Sequence, residues 1–365
     1  MTSSLEILQV ELPLLAPFRS SLAVEKVRSA LILVYKSKDI TAYSECVTFR
    51  DPYYLPEDNS TAIHMIRDHL AKLLIAEPTP DEFVKRSARI RGNNMAKAAI
   101  EMLIWDFRCK RENKSIAQAL GDSKGYADTG ISLGINSPEL LVKNVAAALS
   151  KGYERIKIKI QRGKEYPLIK AVRDSFPDVP LSVDANGGYA LRDVVALKRL
   201  DKFGLLYIEQ PLDYDDLLDH ASLAKEISTP ICLDESITSP TRTRQAFEIS
   251  AAEIVNIKPG RLGGLANSLE VARIARDNGG HVWVGGMLET GVGRSFNIAL
   301  ASLKLVDLPG DTSPNDEYFS RDIVINPFKM EKNGHITPNS GLGIGVELDE
   351  EFLRRSVKQS WKIVL

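Results

Sequence analysis

Cysteine is scarce in this chain. The three present in 365 residues, Cys46, Cys109 and Cys232, have no paired spacing, and Cys232 lies inside an apolar stretch. They read as small buried side chains of a reducing compartment, not as a disulfide framework. The five histidines are scattered, which argues against a His-based zinc site. Neither charge sign is in excess. The formal net charge is −1, so no electrostatic footprint for nucleic acid or an anionic membrane is visible. No apolar run approaches the roughly 20 residues of a membrane span. The opening Met-Thr-Ser-Ser-Leu-Glu-Ile lacks the basic-then-apolar pattern of a signal peptide, so a cytoplasmic location is expected. There is no GxxxxGK(S/T) phosphate loop and no GxSxG nucleophile elbow. Gly341-Leu342-Gly343-Ile344-Gly345 has the spacing of a dinucleotide-loop fragment. It lacks the strand–helix context such a loop needs, and it reads as a turn.

What is present is a rhythm. Lys159, Asp184, Glu209 and Asp234 follow one another at intervals of 25 residues, and Lys258 comes 24 residues later. Each closes a short apolar run, such as Leu-Ser-Val-Asp or Ile-Cys-Leu-Asp. A period of this size fits one strand plus one crossover helix. Five consecutive strands would then present an ionisable residue at the same end. In a (β/α) barrel that end is the C-terminal face, where active sites sit.

The 365 residues suit a barrel plus an accessory domain. Apolar residues make up 44% and charged residues 26%, as in a soluble globular protein. Residues 30–35 and 40–46 read as strands flanking a Lys-Ser-Lys-Asp turn, hence a hairpin. In the segment 94–110, Ala96, Ile100, Leu103, Ile104 and Phe107 recur at helical spacing. From about 128 the pattern alternates. Strands are expected near 128–135, 154–160, 180–184, 204–209, 229–234, 253–258, 280–285 and 303–307. Helices fit between them, at 138–150, 165–175, 192–201, 217–226, 240–248 and 265–278. Eight strands in one right-handed parallel alternation close most naturally as a barrel.

Ile156-Lys157-Ile158-Lys159-Ile160 alternates with period two, so both lysines share one face and the isoleucines the other. On a surface sheet this would be a solvated lysine face. In a parallel α/β context the isoleucines face the helices and the lysines enter the barrel mouth. Desolvation, a metal ion and a second lysine would each favour a neutral amine able to act as a base. Singly, an Asp at a strand end is usually a cap or turn residue. Three in phase with two lysines point instead to a cation, since crowded carboxylates need one to offset their repulsion. An all-oxygen donor set points to Mg²⁺ first and Mn²⁺ second. Glu235 follows Asp234 directly and is expected to point to the other side, as a supporting partner. Gly260–Gly264 and Gly285–Gly293 follow the sixth and seventh strands. Each is either a tight loop or an amide cradle for an anionic group at a helix N-terminus.

These residues resemble the enolase superfamily, in its muconate-lactonizing branch, and more closely the o-succinylbenzoate synthase / N-acylamino acid racemase group. The resemblance covers essentially the whole chain: Ala16-Pro17-Phe18-Arg19, Gly130–Ile135, the Lys-Ile-Lys pair, Val183-Asp184-Ala185-Asn186, Ile208-Glu209-Gln210-Pro211, Leu233–Ser236, Asn256–Arg261, Gly286–Gly291 and Leu308–Ser313. Such sites are themselves a standing example of a Lys or His base working with Mg²⁺ on an ene-diolate. The resemblance implies that Asp184, Glu209 and Asp234 hold Mg²⁺, and that Lys159 and Lys258 stand on opposite faces of a small carboxylate substrate. It further implies that Ser132, Lys157, Asn186 and the loop Met287, Leu288, Glu289, Thr290 line the pocket. Arg261 is a feature of the racemase-capable subgroup. Loops near Ala16–Ser21, with Phe18, and Arg50–Leu55, with Tyr53, would cover the barrel mouth as an apolar lid.

The expected fold class is therefore α/β: a (β/α)7β TIM-like barrel over residues 126–320, an N-terminal α+β capping domain over 1–125, and a C-terminal segment, 321–365, packed back on the cap. A homo-oligomer without nucleic-acid or membrane partners is expected. Two reactions stay open. One is dehydration to o-succinylbenzoate in menaquinone synthesis; the other is racemisation of N-acyl- or N-succinylamino acids. A dipeptide epimerase or cycloisomerase is a further alternative, although Asp311-Thr312-Ser313 lacks the Asp-x-Asp pair of a dipeptide epimerase. A catalytically inactive binding barrel is the alternative from another class.

Overall fold

The computed structural model describes residues 3–19 and 23–365. Strands β1 (Ser4–Arg19), β2 (Val24–Ser37) and β3 (Ile40–Cys46) form an antiparallel meander. The two-residue turn Lys38–Asp39 joins the last two. Period-two alternation divides β2 between two cores. Leu31, Leu33 and Tyr35 pack with the long helix Asn94–Arg111, while Ala30, Ile32 and Val34 join the larger core beneath. That helix buries Ala96, Ile100, Leu103, Ile104 and Phe107, the face its spacing predicts.

After the short β4 (Ala127–Asp128), seven parallel strands follow in chain order: β5 (Gly130–Leu133), β6 (Arg155–Lys159), β7 (Leu181–Asp184), β8 (Ile208–Glu209), β9 (Ile231–Leu233), β10 (Ile254–Ile257) and β11 (His281–Val284). They make a curled parallel sheet, a half-barrel in outline. The helices Pro138–Lys151, Glu165–Ser175, Leu218–Ala224, Pro240–Glu248 and Leu265–Asp277 lie where the spacing puts them. The expected helix at 192–201 is instead one short turn of α-helix, Val194–Lys198, flanked by 3₁₀ turns. β12 (His335–Ile336) pairs with β4, and β13 (Val357–Val364) pairs with β1 at the edge of the N-terminal sheet. Among the described residues no helix is long and apolar enough to cross a membrane.

The strand expected at 303–307 is not there. The apolar helix Gly291–Ala301 runs into turns at those residues. It is the next stretch that bridges the two ends of the sheet. Leu308 and Asp311 N–H donate to the carbonyls of Val282 and Val284 (3.2 and 2.9 Å). On the other side Gly310 N–H donates to Asp128 O (3.0 Å) and Gly130 N–H to Gly310 O (2.7 Å). Pro309 has no N–H to give a ladder, which hides this connection in a search for apolar β-runs.

Two buried carboxyl groups tie the N-terminal unit to the sheet's helices. Glu101 accepts from Leu265 N–H (2.9 Å), Ala266 N–H (3.0 Å) and Trp105 Nε1 (2.8 Å). Glu45 accepts from Thr290 N–H (3.0 Å) and Oγ1 (2.7 Å) and from Gly293 N–H (3.1 Å). Burial outweighs these bonds, pushing Glu101 up to about 7 and Glu45 up to about 8. A carboxyl raised above its unfolded value near 4.5 holds an extra proton when folded. Its stabilising contribution is therefore complete below pH 4.5 and is lost as pH rises to about 7 or 8. The melting-temperature advantage of wild type over Glu101→Gln should accordingly shrink by about 4 °C between pH 5 and pH 8.5. Scanning calorimetry of both proteins would show it; parallel curves would refute the shift.

Candidate active site

The repeat of strand and helix carries each functional side chain to the same end of the sheet. Lys159, Asp184 and Glu209 are direct neighbours across β6, β7 and β8. Asp234 and Lys258 stand just past β9 and β10. Lys157, Lys159, Asp184, Glu209, Asp234 and Lys258 are all buried, while Ile156, Ile158 and Ile160 fill the core behind them. Lys258 reaches the site over Gly285, where a Cβ would sit 2.7 Å from its Cε and 2.2 Å from Asn256 Oδ1. A glycine is therefore required for the lysine to pass.

Each carboxylate is held by a cation. Lys159 Nζ donates to Asp184 (2.6 Å) and to Asn186 Oδ1 (2.8 Å). Lys157 Nζ donates to Glu209 (2.7 Å) and ion-pairs with Asp311 (2.6 Å). Lys258 Nζ donates to Asp234 (2.7 Å) and lies 4.6 Å from the centre of the Tyr54 ring. Asn256 Nδ2 donates to the other Glu209 oxygen (2.7 Å). Tyr54 OH donates to Asp234 (2.7 Å), and Arg261 bonds the same oxygen.

The electrostatics follow from burial and crowding. Burial works against charge on Lys157, but Asp311, Glu209 and Asp184 outweigh it and drive its pKa up. Lys258 is likewise raised against burial, by Tyr54, Glu209 and Glu235. For these two lysines the surrounding acids thus work against the neutral amine that desolvation favours. Burial raises Glu209 and Glu235, and repulsion from Asp184 adds to it. Asp184 is lowered despite burial, because Lys159 and Lys157 face it.

Whether these groups fit a divalent ion is a question of donor chemistry. Three carboxylates end adjacent strands, two further acids stand beside them, and the repulsion that raises Glu209 is what a cation relieves. Glu235 Oε2 and Asn256 Oδ1 are buried acceptors without a hydrogen-bond partner among the described residues. The donor set is all oxygen and suits a hard ion. Asp184, Glu209 and Asp234 do not bring one oxygen each within 4.8 Å of one another. Among the described residues the group of three with ligand atoms within 4.8 Å of one another is a different one, Asp128, Glu154 and His335. It sits at the N-terminal ends of the strands, and Lys124 Nζ already bonds Asp128 (2.7 Å).

A cavity of about 110 Å³ opens above this cluster. Ser132, Lys157, Asn186, Met287, Leu288, Phe18 and Tyr53 line it, as do Lys159, Asp184 and Lys258. Of the loop expected near Ala16–Ser21, Ser20 and Ser21 lie outside the described residues. Three expected pocket residues lie elsewhere. Glu289 turns its carboxylate onto Met287 N–H (2.8 Å), Asn297 (2.8 Å) and Arg294. Thr290 caps the following helix and bonds Glu45. Arg261 is fully buried behind Asp234, donating also to Ile237 O (2.6 Å) and Tyr54 OH (3.0 Å). All three brace the site. Glu235 needs the opposite correction: it is buried within the cluster, accepting from Asn186 Nδ2 (3.1 Å). Past Leu233 the chain turns, so strand alternation no longer decides direction.

Asp311, Asn256 and Tyr54 were not singled out by sequence reasoning. Asp311 follows the Pro-Gly stretch that closes on β11, and the sequence showed it only within the Leu308–Ser313 run and as the Asp of a missing Asp-x-Asp pair. It lines the cavity and is held by Arg155 (2.9 Å) and Lys157. Tyr54 was visible only as part of an apolar lid.

The chain is similar to known proteins over nearly its whole length. Residues 140–352 match the enolase C-terminal domain-like family, and residues 3–121 the N-terminal domain of mandelate racemase / muconate lactonizing enzyme. An N-succinylamino acid racemase of an Amycolatopsis species is 43% identical over 96% of both chains. The o-succinylbenzoate synthase of Bacillus subtilis is 39% identical over 93% of this chain and 92% of its own. A crystal structure of an enolase-superfamily member from Listeria innocua superposes with a TM-score of 0.95 at 38% identity, covering 100% and 99% of the two chains.

Proposed function

The chain belongs to the enolase superfamily, with a mandelate racemase / muconate lactonizing enzyme N-terminal domain, and on that premise we propose that it is an enzyme that removes a proton α to a carboxylate through an ene-diolate. The reading comprises o-succinylbenzoate synthase activity, N-succinylamino acid racemase activity, or both. The observation that carries it is the pair of buried lysines, Lys159 and Lys258, which line one cavity with Asp184 and flank the buried Asp184, Glu209 and Asp234. Asp184, Glu209 and Asp234 would hold Mg²⁺, or Mn²⁺ in its place. When bound, the ion supplies Lewis-acid stabilisation of charge developing on the substrate carboxylate.

Lys159 takes the α-proton from one face and Lys258 stands at the other. In racemisation each serves one enantiomer. In dehydration Lys159 is base and then acid, and Lys258 is a cation beside the intermediate. Ser132, Asn186, Met287 and Leu288 position the substrate, and Phe18 and Tyr53 exclude water above it. Formal charge also favours a doubly anionic substrate. Five buried cations (Arg155, Lys157, Lys159, Lys258, Arg261) meet five buried acids (Asp184, Glu209, Asp234, Glu235, Asp311). A divalent ion leaves an excess of two positive charges, which a dicarboxylate offsets. Dipeptide epimerisation is disfavoured, because Asp311 is already engaged by Arg155 and Lys157.

In this reading residues 126–320 form a (β/α)7β TIM-like barrel, with 308–311 as its closing strand. Residues 1–125 are the cap, and 321–365 return to it. A cytoplasmic homo-oligomer acting on small molecules, in menaquinone synthesis or on acylated amino acids, completes the proposal. A paired assay tests it. With Mg²⁺ or Mn²⁺ present, the enzyme should dehydrate the succinyl-hydroxycyclohexadiene carboxylate, exchange the α-proton of N-succinylphenylglycine, or both. Turnover of neither would overturn the reading.

A further inference from the structure

We infer that Glu45 is a positioning residue of the reaction: from the N-terminal unit it sets the loop Met287–Thr290 against the substrate and, through Arg28, ties that loop to the start of the lid segment. The inference rests on the proposed proton-abstraction reading. Met287 and Leu288 line the cavity, as do Phe49, Tyr53 and Tyr54. The loop is bent, with Leu288 at a φ of +55°, a backbone region a leucine occupies only when its surroundings hold it there. Two carboxylates do the holding. Glu289 acts from within the loop, on Met287 N–H (2.8 Å). Glu45 acts from the end of β3, 245 residues away in the chain, where Thr290 N–H, Thr290 Oγ1 and Gly293 N–H all donate to its Oε2. A Cβ at Gly293 would sit 2.8 Å from that oxygen, so the carboxylate fits only over a glycine.

The other carboxylate oxygen faces Arg28 of β2, at 4.0 Å. Arg28 is buried. Burial disfavours its charge, and among the acids that offset this Glu45 comes first and Glu289 second. Its Nη1 donates to Thr48 O (2.7 Å), and the guanidinium lies 4.7 Å from the centre of the Phe49 ring. Thr48 and Phe49 lead directly into the lid segment at 50–55. A line of contacts thus runs from Leu288 through Thr290, Glu45 and Arg28 to Phe49, and both of its ends line the cavity.

Glu101 shows the same chemistry without that line. It too is a buried carboxyl of the N-terminal unit seated on the N-terminus of a sheet helix, Leu265–Asp277. None of its partners Leu265, Ala266 and Trp105 lines the cavity. Glu101 therefore serves the docking of the two units alone. Glu45 serves docking and also joins two groups that face the substrate, where a displacement of about 1 Å can cost roughly 10²-fold in rate. Glu101→Gln is the matched control for lost docking.

The test compares Glu45→Ala, Glu45→Gln, Arg28→Met and Glu101→Gln with wild type, all supplemented with Mg²⁺. α-Proton exchange of N-succinylphenylglycine in D₂O, followed by NMR, gives kcat and KM. Amide hydrogen exchange read by mass spectrometry follows the peptides spanning 286–294 and 48–55. Glu45→Ala should lower kcat/KM by about 10²-fold. KM should rise and kcat fall together, for both enantiomers alike, since the substrate and not one base is displaced. A glutamine oxygen can take the three loop donors, but its amide nitrogen cannot pair with Arg28. Glu45→Gln and Arg28→Met should therefore each cost about tenfold, and the double variant no more than either alone. Both peptides should lose protection in Glu45→Ala, the lid peptide included. Glu101→Gln should leave both protected and kcat/KM within about twofold of wild type. The inference is overturned if Glu45→Ala stays within about twofold of Glu101→Gln in kcat/KM, if the lid peptide keeps its protection, or if the losses in the double variant add. Should Glu45→Ala fail to fold, Glu45→Gln and Arg28→Met decide by the same criteria. No exchange from the wild type itself would instead defeat the reading of the reaction, and the positioning role with it.

Discussion

Alanine at Lys159 should stop α-proton exchange from one enantiomer of N-succinylphenylglycine, and alanine at Lys258 should stop it from the other. The two ammonium groups stand on different strands on either side of the acids, Lys159 on Asp184 and Lys258 on Asp234. A substrate carboxylate placed between them offers each lysine one face of the α-carbon. The loss in each case should be about 10²–10⁴-fold, the usual worth of a positioned general base. The sign of the electrostatics matters here. The surrounding acids hold Lys258 charged, so it becomes a base only when that negative charge is taken up by another partner. A divalent ion held by the same acids would do this, and the base and the ion would then be two parts of one device. Lys258→Arg should keep a trace of dehydration, where a cation suffices, and no racemisation, since guanidinium stays protonated. NMR of each enantiomer in D₂O reads all of this, and a single lysine variant that still racemised near the wild-type rate would sink the two-base assignment.

How much of this was legible follows from which regularities govern each residue. The 25-residue period made Lys159, Asp184, Glu209 and Asp234 visible, because strand alternation and a constant crossover length carry them to one end of one sheet. Glu235 escaped that logic. It lies in a turn after β9, where period two does not apply, and it faces Asn186. Arg261 and Glu289 escaped for another reason. A charged residue in a Gly-rich loop reads as a solvent or substrate contact, and only tertiary packing shows that each is buried against a partner. The stretch at 308–311 was hidden by Pro309, and with it Asp311.

Glu209→Gln should be the most informative single change at the acidic cluster. It removes one charge and almost no volume. Asn256 can still bond the amide oxygen, and Lys157 keeps Asp311 at 2.6 Å. Since burial and Asp184 raise Glu209 in the folded state, its charge is a cost to folding, and the melting temperature should hold or rise. Activity should nevertheless fall by about 10³-fold or more, because stabilisation of the developing carboxylate charge supplies most of the rate. The same change separates metal binding from catalysis. An ion that binds only the native state raises the melting temperature in proportion to the logarithm of its concentration over Kd. Wild type should show this rise with Mg²⁺, EDTA should reverse it, and Glu209→Gln should lose it. The group Asp128, Glu154 and His335 supplies the control, since Asp128→Asn should leave the Mg²⁺ response at the lysine-flanked site intact. A response that disappears in Asp128→Asn and persists in Glu209→Gln would move the ion to the other end of the sheet, and full turnover after exhaustive chelation would remove it from the reaction altogether.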